Sequence, residues 1–410
     1  MGIIVRRPSL EAFLRSGGRR LLYGRRKTGK TFYARLVLPD YKYFIVRRGG
    51  LFMDPETGEE FSLGAFLRMC GNRVVVDEFH RADARFFDAV QAGSCGGDVV
   101  LITSTLHFYK RFVGGPEAPL KGLFSLRRVD LLSPLELLAA DWGLGGRELV
   151  ERLVFWQEPV LVGRSLEECV VSGSAFARSL VGEILDEEDA SYSRRFDAIL
   201  EAVAGGATRL SEIASYLHGK GLIEKASTSH ITKYVDAMVK MGLLERVEIW
   251  GRERGSFYRH ASPLTDIAYY LDARYGLRDY PAPWGFVERV VMERMPLLVE
   301  RFVERFMAEY FGLKPVKVLE PEVDVALVSF KRIEIAAEVK WRRSLTPSEV
   351  RRAEERLGRL HAPRRILVVP EAVHATSSGL EVWSVEDLVQ MAKERARTGP
   401  EGGWHTGQHR

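Results

Sequence analysis

Gly24-Arg25-Arg26-Lys27-Thr28-Gly29-Lys30-Thr31 is the stretch on which the reading of this chain turns. It matches the pattern GxxxxGK[ST], follows the apolar run Arg20-Leu-Leu-Tyr23, and opens a segment with Phe32, Leu36 and Val37 at helical spacing. Strand, glycine-rich loop and helix in that order form the context in which this pattern cradles phosphate. Glycines let the backbone wrap an anion with inward N–H groups, and the helix N-terminus adds partial positive charge. Lys30 is placed to reach the outer phosphates of a nucleotide, and the Thr31 hydroxyl is a ligand type for Mg²⁺. The expected nucleotide contacts are Gly24, Lys27, Thr28, Gly29, Lys30, Thr31 and Phe32, with ATP and Mg²⁺ as cofactors.

Two further runs support the loop. Val74-Val-Val-Asp77-Glu78 is an apolar strand ending in two carboxylates. Asp77 is expected to hold Mg²⁺ through water and Glu78 to act as general base toward the attacking water, with Lys30 offsetting charge in the same catalytic set. Val99-Val-Leu-Ile-Thr103-Ser104-Thr105 ends in hydroxyls, so Ser104 or Thr103 is placed to sense the outer phosphate from between the other two strands. Strand ends also carry Ser and Thr for turn reasons, which leaves that role open. Continuous rather than alternating apolar strands, separated by helical stretches at 29–38 and 82–92, indicate a parallel sheet covered on both faces.

Composition bounds the rest. The chain has 410 residues, 46% hydrophobic and 28% charged, which fits two to four globular domains and excludes wholesale disorder. Cys70, Cys95 and Cys169 lie far apart without a CxxC pair, which on spacing alone excludes a disulfide framework and a cysteine zinc knuckle. No apolar run approaches the roughly 20 residues of a membrane span, and the start lacks a signal-peptide core, so a reducing cytoplasmic setting without membrane contact is expected. The net charge of +5 is mild, but residues 1–50 carry thirteen Lys and Arg against Glu11 and Asp40. Asn72 is the single asparagine, which points to a hot-living source, although a GC-rich genome produces the same arginine bias.

Downstream, residues 196–203, 211–217 and 228–241 carry apolar residues at helical spacing. The second and third form a helix-turn-helix pattern, with Ser227 or Thr228 as the cap and Ser229, His230, Lys233 and Lys240 on the exposed face. Residues 243–250 and 256–259 read as a hairpin with Arg252 and Arg254 at its tip, and the whole resembles a winged helix. Such a unit either lays its second helix in a DNA groove or serves as a packing module. Further on, residues 322–328 read as a strand that carries Asp324, and the next strand carries Glu338 and Lys340 two apart on one face. This is a D…ExK arrangement, in which Asp324 and Glu338 would hold Mg²⁺ and Lys340 would orient the attacking water. A Glu338–Lys340 ion pair, or a nuclease fold kept for binding, accounts for the same residues. Glu300 and Glu304 on the preceding helix each offer a further acid.

The order of these motifs resembles the archaeal AAA+-type ATPases, a STAND-like group of P-loop proteins. The resemblance runs from the Gly24 loop through Asp77-Glu78 to Ser104-Thr105 and on through the downstream blocks. The chain departs from it at Thr103-Ser104, where the family has Gly-Ser, and at Pro119-Leu-Lys-Gly122-Leu123, which lacks the family's Arg. A Gly-Gly-x-Pro segment is also not recognisable in Phe155-Trp-Gln-Glu-Pro159. The resemblance implies a winged helix in the middle and a restriction-endonuclease-like domain at the end, with Glu300 as the further acid. The expected fold is α/β. It comprises a P-loop core at 1–145, a helical lid and linker at 146–190, a winged helix-turn-helix at 191–275, a D…ExK domain at 285–395 and a disordered tail at 396–410. The expected function is an ATP-hydrolysing, DNA-associated switch. The alternatives are an ATP-regulated Mg²⁺-dependent endonuclease and a non-enzymatic scaffold or transcription regulator that self-associates with nucleotide.

Overall fold

A computed structural model describes residues 3–103, 122–187, 194–252, 255–278, 280, 282–342, 344–371 and 379–398. The N-terminal part builds one sheet from β1 (Arg19–Tyr23), β2 (Lys42–Val46), β3 (Phe52–Met53), β4 (Glu60–Phe61), β5 (Arg73–Asp77), β6 (Asp98–Ile102) and β7 (Ser125–Arg128). Their order is β4-β3-β2-β5-β6-β1-β7. The run from β2 to β7 is parallel throughout, and β3 and β4 join the β2 edge antiparallel.

Successive strand residues point to opposite faces, and both faces are covered. Leu22, Val75, Val100 and Ile102 meet α1 (Pro8–Arg15) and α2 (Lys30–Val37) through Leu10, Leu14, Tyr33 and Ala34. Leu21, Val74, Val76, Val99 and Leu101 meet α3 (Leu63–Met69) and α4 (Ala84–Gln91) through Phe66, Phe86 and Phe87. The continuous apolar strands follow from this double burial, and the fold is an α/β P-loop NTPase fold.

After α5 (Pro134–Ala139), which starts in a Ser133/Glu136 capping box, the chain is helical in α6 (Gly146–Trp156) and α7 (Leu166–Glu187). Next come α8 (Arg194–Ala204), α9 (Leu210–Gly219) and α10 (Thr232–Met241), and then the hairpin β8 (Leu244–Ile249) and β9 (Ser256–His260). The sequence placed the start of α10 at Ser227 or Thr228. A 3-10 turn at Thr228–His230 comes first, and the α-helix opens only at Thr232, whose hydroxyl donates back to the Thr228 carbonyl at 2.8 Å. Arg252 at the hairpin tip is exposed, and Arg254 lies outside the described residues.

Two more helices follow, α11 (Pro263–Tyr275) and the 28-residue α12 (Trp284–Phe311). Met295, Leu298, Val299, Phe302 and Phe306 of α12 are fully buried against α6, α11 and the C-terminal strands. Those strands are β10 (Lys314–Lys317), β11 (Val325–Ser329), β12 (Arg332–Val339), β13 (Arg364–Val368) and β14 (Glu381–Trp383), with α13 (Pro347–Gly358) and α14 (Val385–Thr398) among them. The last helix takes in residues 396–398, the first of the stretch expected to be disordered, and residues 399–410 lie outside the described residues.

The second sheet has the order β14-β13-β12-β11-β10-β8-β9. The middle hairpin therefore belongs to the same sheet as the C-terminal strands. β8 pairs parallel with β10 through Glu248 opposite Val316 and Ile249 opposite Lys317, and the Trp250 N–H donates to the Lys317 carbonyl at 2.9 Å. Among the described residues no helix is long and apolar enough to cross a membrane.

Candidate nucleotide-binding site

The loop between β1 and α2 depends on its glycines for their backbone angles. Gly24 has φ +142°, and a Cβ there would stand 2.4 Å from the Val129 carbonyl oxygen, so no other residue fits. Gly29 caps α2 at φ +88°, and Lys27 adopts φ +63°. Within the loop, the Thr28 hydroxyl donates to the Arg25 carbonyl at 3.0 Å, and Lys30 Nζ donates to the carbonyls of Gly24 (2.9 Å) and Arg25 (2.6 Å). The lysine head is thereby stored against the loop that it serves.

Opposite the loop, the Thr31 hydroxyl donates to Asp77 Oδ2 at 2.5 Å, and the Tyr43 hydroxyl donates to the same oxygen. Burial first, and Asp77 second, push the Tyr43 phenol well up, so it stays a donor. The other oxygen of Asp77 accepts the Glu78 N–H at 2.8 Å. Glu78 itself sits at φ +53°, and its carboxylate pairs with Arg81 at 2.9 Å. The strand order places β6 between β5 and β1, and the buried Thr103 at its end shares a 3.0 Å hydrogen bond with His80 Nδ1. Ser104, the alternative sensor, lies outside the described residues.

A cleft of ≈ 870 Å³ runs over this arrangement, lined by Lys27, Lys30, Thr31, Asp77, Glu78 and Arg81 on its polar side. The other side is apolar, and Ile3, Ile4, Phe32 and Val160 are exposed there. The volume suits a drug-sized or nucleotide-sized ligand, for which pockets run to about 1,000 Å³. A hydroxyl and a carboxylate already in contact at the helix start are the donor types that Mg²⁺ takes, so Thr31 and Asp77 fit that ion.

Sequence reading missed the residues that hold this site from behind. Arg25 turns away from the cleft and pairs with Glu158 at 2.6 Å, with the side chains 5% and 0% exposed. The other oxygen of Glu158 accepts from Ser262 at 2.6 Å, and Ser262 caps α11. Tyr43, Arg81 and Glu158 reach the loop or its acids across 34, 3 and 133 residues respectively. Only Arg81 had a local signal, its position three after Glu78. Arg127 donates to the distant Ser9 hydroxyl at 2.5 Å, and Arg128 pairs locally with Asp130 at 2.7 Å.

The C-terminal constellation also comes together. Asp324 Oδ2 accepts the Val339 N–H at 2.8 Å and lies 3.9 Å from Lys340 Nζ. Lys340 holds one oxygen of the fully buried Glu338 at 2.5 Å, and Arg356 of α13 holds the other at 2.9 Å. Burial, then the Asp324 charge, push the Glu300 carboxyl up to about 8. Burial, then Glu338, raise Asp324. Glu304 points elsewhere and pairs with Arg259, so of the two helix acids Glu300 is the one electrostatically joined to Asp324. Both oxygens of Glu338 are thus ion-paired, one to Lys340 and one to Arg356. Among the described residues no group of three or more His, Cys, Asp or Glu could hold a metal ion. In the middle block, Ser229, His230, Lys233 and Lys240 are all exposed.

Fold and loop together define a P-loop α/β protein. No protein-family model matches the chain, and no curated protein sequence matches it. Among solved structures it is similar to a Walker-type ATPase of Pyrococcus abyssi, at 18% identity and TM-score 0.45, covering 65% of this chain and 96% of that one. It is also similar to the ORC2 protein of Aeropyrum pernix in ADPNP-ADP complexes, at 14% identity and TM-score 0.39, covering 72% and 96%. A STAND protein with a tetratricopeptide repeat sensor from Pyrococcus horikoshii aligns at 14% identity and TM-score 0.29, covering 75% and 51%. At such scores these likenesses add nothing to the geometry above.

Proposed function

We propose that the chain binds ATP with Mg²⁺ and hydrolyses it, and that it works as a DNA-associated switch. The observation that carries this reading is the loop at residues 24–31 closing on Asp77 through Thr31, with Glu78 one residue further on. In this reading the N–H groups at the start of α2 take the phosphates, and Lys30 leaves the carbonyls of Gly24 and Arg25 for phosphate oxygens. The exposed apolar rim of Ile3, Ile4, Phe32 and Val160 takes the base. Thr31 and Asp77 would hold Mg²⁺, which would supply charge neutralisation at the outer phosphates. Glu78 accepts the proton of the attacking water once it releases Arg81. Replacement of Lys30 with Ala should abolish turnover, and replacement of Glu78 with Gln should leave nucleotide bound but uncleaved. Turnover at the wild-type rate in the Lys30 variant, read by phosphate release, overturns the assignment.

The division into a core at 1–145, a lid at 146–190, a winged helix at 191–275 and a nuclease-like unit at 285–395 is part of the same proposal. DNA contact is assigned to the exposed Ser229, His230, Lys233 and Lys240 of the middle block and to the C-terminal unit. DNA affinity that falls steeply with salt supports this, because released counterions drive such binding. The pairing of β8 with β10 favours a second reading, in which the winged helix packs rather than binds DNA, and salt-insensitive or absent binding selects it. The doubly paired Glu338 supports a D…ExK unit that binds without cutting. Mg²⁺- or Mn²⁺-dependent plasmid nicking that disappears in Asp324→Ala restores the endonuclease alternative. Nucleotide-dependent self-association, expected of the scaffold alternative, is read by light scattering.

A further inference from the structure

Cys70 and Cys95 are far apart in sequence and neighbours in the fold. Strands β5 and β6 pair in parallel with a constant offset: Arg73 lies opposite Asp98, Val74 opposite Val99 and Val75 opposite Val100, each 25 positions on. Cys95 also follows Cys70 by 25 positions. The register therefore runs back through the turns that enter the two strands and sets the two cysteines side by side. Hydrogen bonds continue the pairing below the strands, from the Gly96 N–H to the Gly71 carbonyl at 3.3 Å and from the Asp98 N–H to the Asn72 carbonyl at 3.2 Å. The two turns touch closely enough that a Cβ on Gly96 would stand 2.5 Å from the Asn72 Cα. Neighbouring strands are about 4.8 Å apart, and a disulfide spans Cα separations of about 4.4–6.8 Å.

We propose that Cys70 and Cys95 form an intramolecular disulfide that closes the loop carrying Asp77 and Glu78. Both thiols are buried in the same apolar cluster with Phe66, Phe86 and Phe87, and both are free in this structure. Burial, and then Cys70 itself, push the Cys95 thiol up, so exchange proceeds when the turns open locally. The oxidant is a small disulfide such as oxidised glutathione. One cysteine thiolate attacks a sulfur of that disulfide and expels one glutathione thiolate. The second cysteine attacks the protein-side sulfur of the mixed disulfide and expels the other. The two protein thiols lose two electrons and two protons, and one oxidised glutathione becomes two reduced. A closed loop of this size restricts the unfolded chain, so the oxidised form melts at higher temperature.

The test is a thiol count on the full chain, refolded from denaturant in glutathione redox buffers so that the oxidant reaches both sulfurs, then alkylated and mapped by mass spectrometry. The expected result is three free thiols under reducing conditions and one, Cys169, under oxidising conditions, with a peptide joining Cys70 to Cys95. Cys169→Ser should go from two thiols to none, and the oxidised wild type should melt several degrees above Cys70→Ser. Three thiols that persist in oxidising buffer, or a linkage that includes Cys169, overturns the proposal.

Discussion

At the scale of single residues, the first position of the phosphate loop admits no side chain. Gly24→Ala forces a Cβ to within 2.4 Å of the Val129 backbone oxygen at a φ of +142°. Backbone strain of this kind costs roughly 1–3 kcal/mol, to which the clash adds. The urea midpoint should fall and nucleotide binding should be lost together; an unchanged midpoint contradicts the geometry. Lys30, Thr31, Asp77 and Glu78 are legible from sequence because the chemistry demands fixed types at fixed spacing. Tyr43 and Glu158 are not legible, since each reaches the site by folding across many residues. Cys70 and Cys95 were invisible as a pair for a different reason: their proximity is a property of strand register, which sequence spacing does not display.

At the scale of elements, the end of β9 carries a pH sensitivity. His260 is buried, its Nε2 donates to the Leu200 carbonyl of α8 at 2.9 Å, and its Nδ1 shares a 3.2 Å hydrogen bond with the Thr265 hydroxyl. Burial pulls it down to about 4 from 6.5. Between those values the unfolded chain binds more protons than the folded one, so stability falls as pH drops through that window. The loss is about 2 kcal/mol at pH 5. His260→Gln should flatten the difference between urea midpoints at pH 7 and pH 5; an equally steep difference in the variant assigns it to other groups. Nearby Asp266 opposes that lowering of His260 and itself titrates in a more acidic window. Although burial opposes it, Arg301 and Arg294 pull it down to about 2, and its contribution is lost only as pH falls through 3.8 toward that value. Among the strands, β1, β2, β5 and β6 were legible because double burial makes them continuously apolar. The two-residue β3 and β4 and the largely exposed β7 carry no such run. The first turn of the third middle helix had helical residues but folded as 3-10, because its side chains are exposed and no packing selects the α form.

At the scale of the molecule, carboxylates tie the phosphate loop to the middle helices: Glu183 of α7 meets Arg26 at 3.3 Å, and Glu158 is the buried tie. Glu158 holds Arg25 behind the loop and Ser262 at the start of α11. Removal of its charge strands Arg25 in the interior, and breaking a buried pair in this way costs roughly 3–5 kcal/mol. Glu158→Gln should therefore lower the melting temperature and raise hydrogen exchange across residues 263–275; unchanged exchange there excludes the tie. This contact was not legible because it joins distant residues, and the same is true of the pairing between β8 and β10. That pairing has a mechanical consequence. The hairpin and the C-terminal strands are planks of one plate, hydrogen-bonded edge to edge, and the plate resists shear along its own strands. A displacement that tilts the hairpin would therefore be passed through β10 to the strands beside Asp324 and Glu338, edge to edge, like a push along a boarded floor.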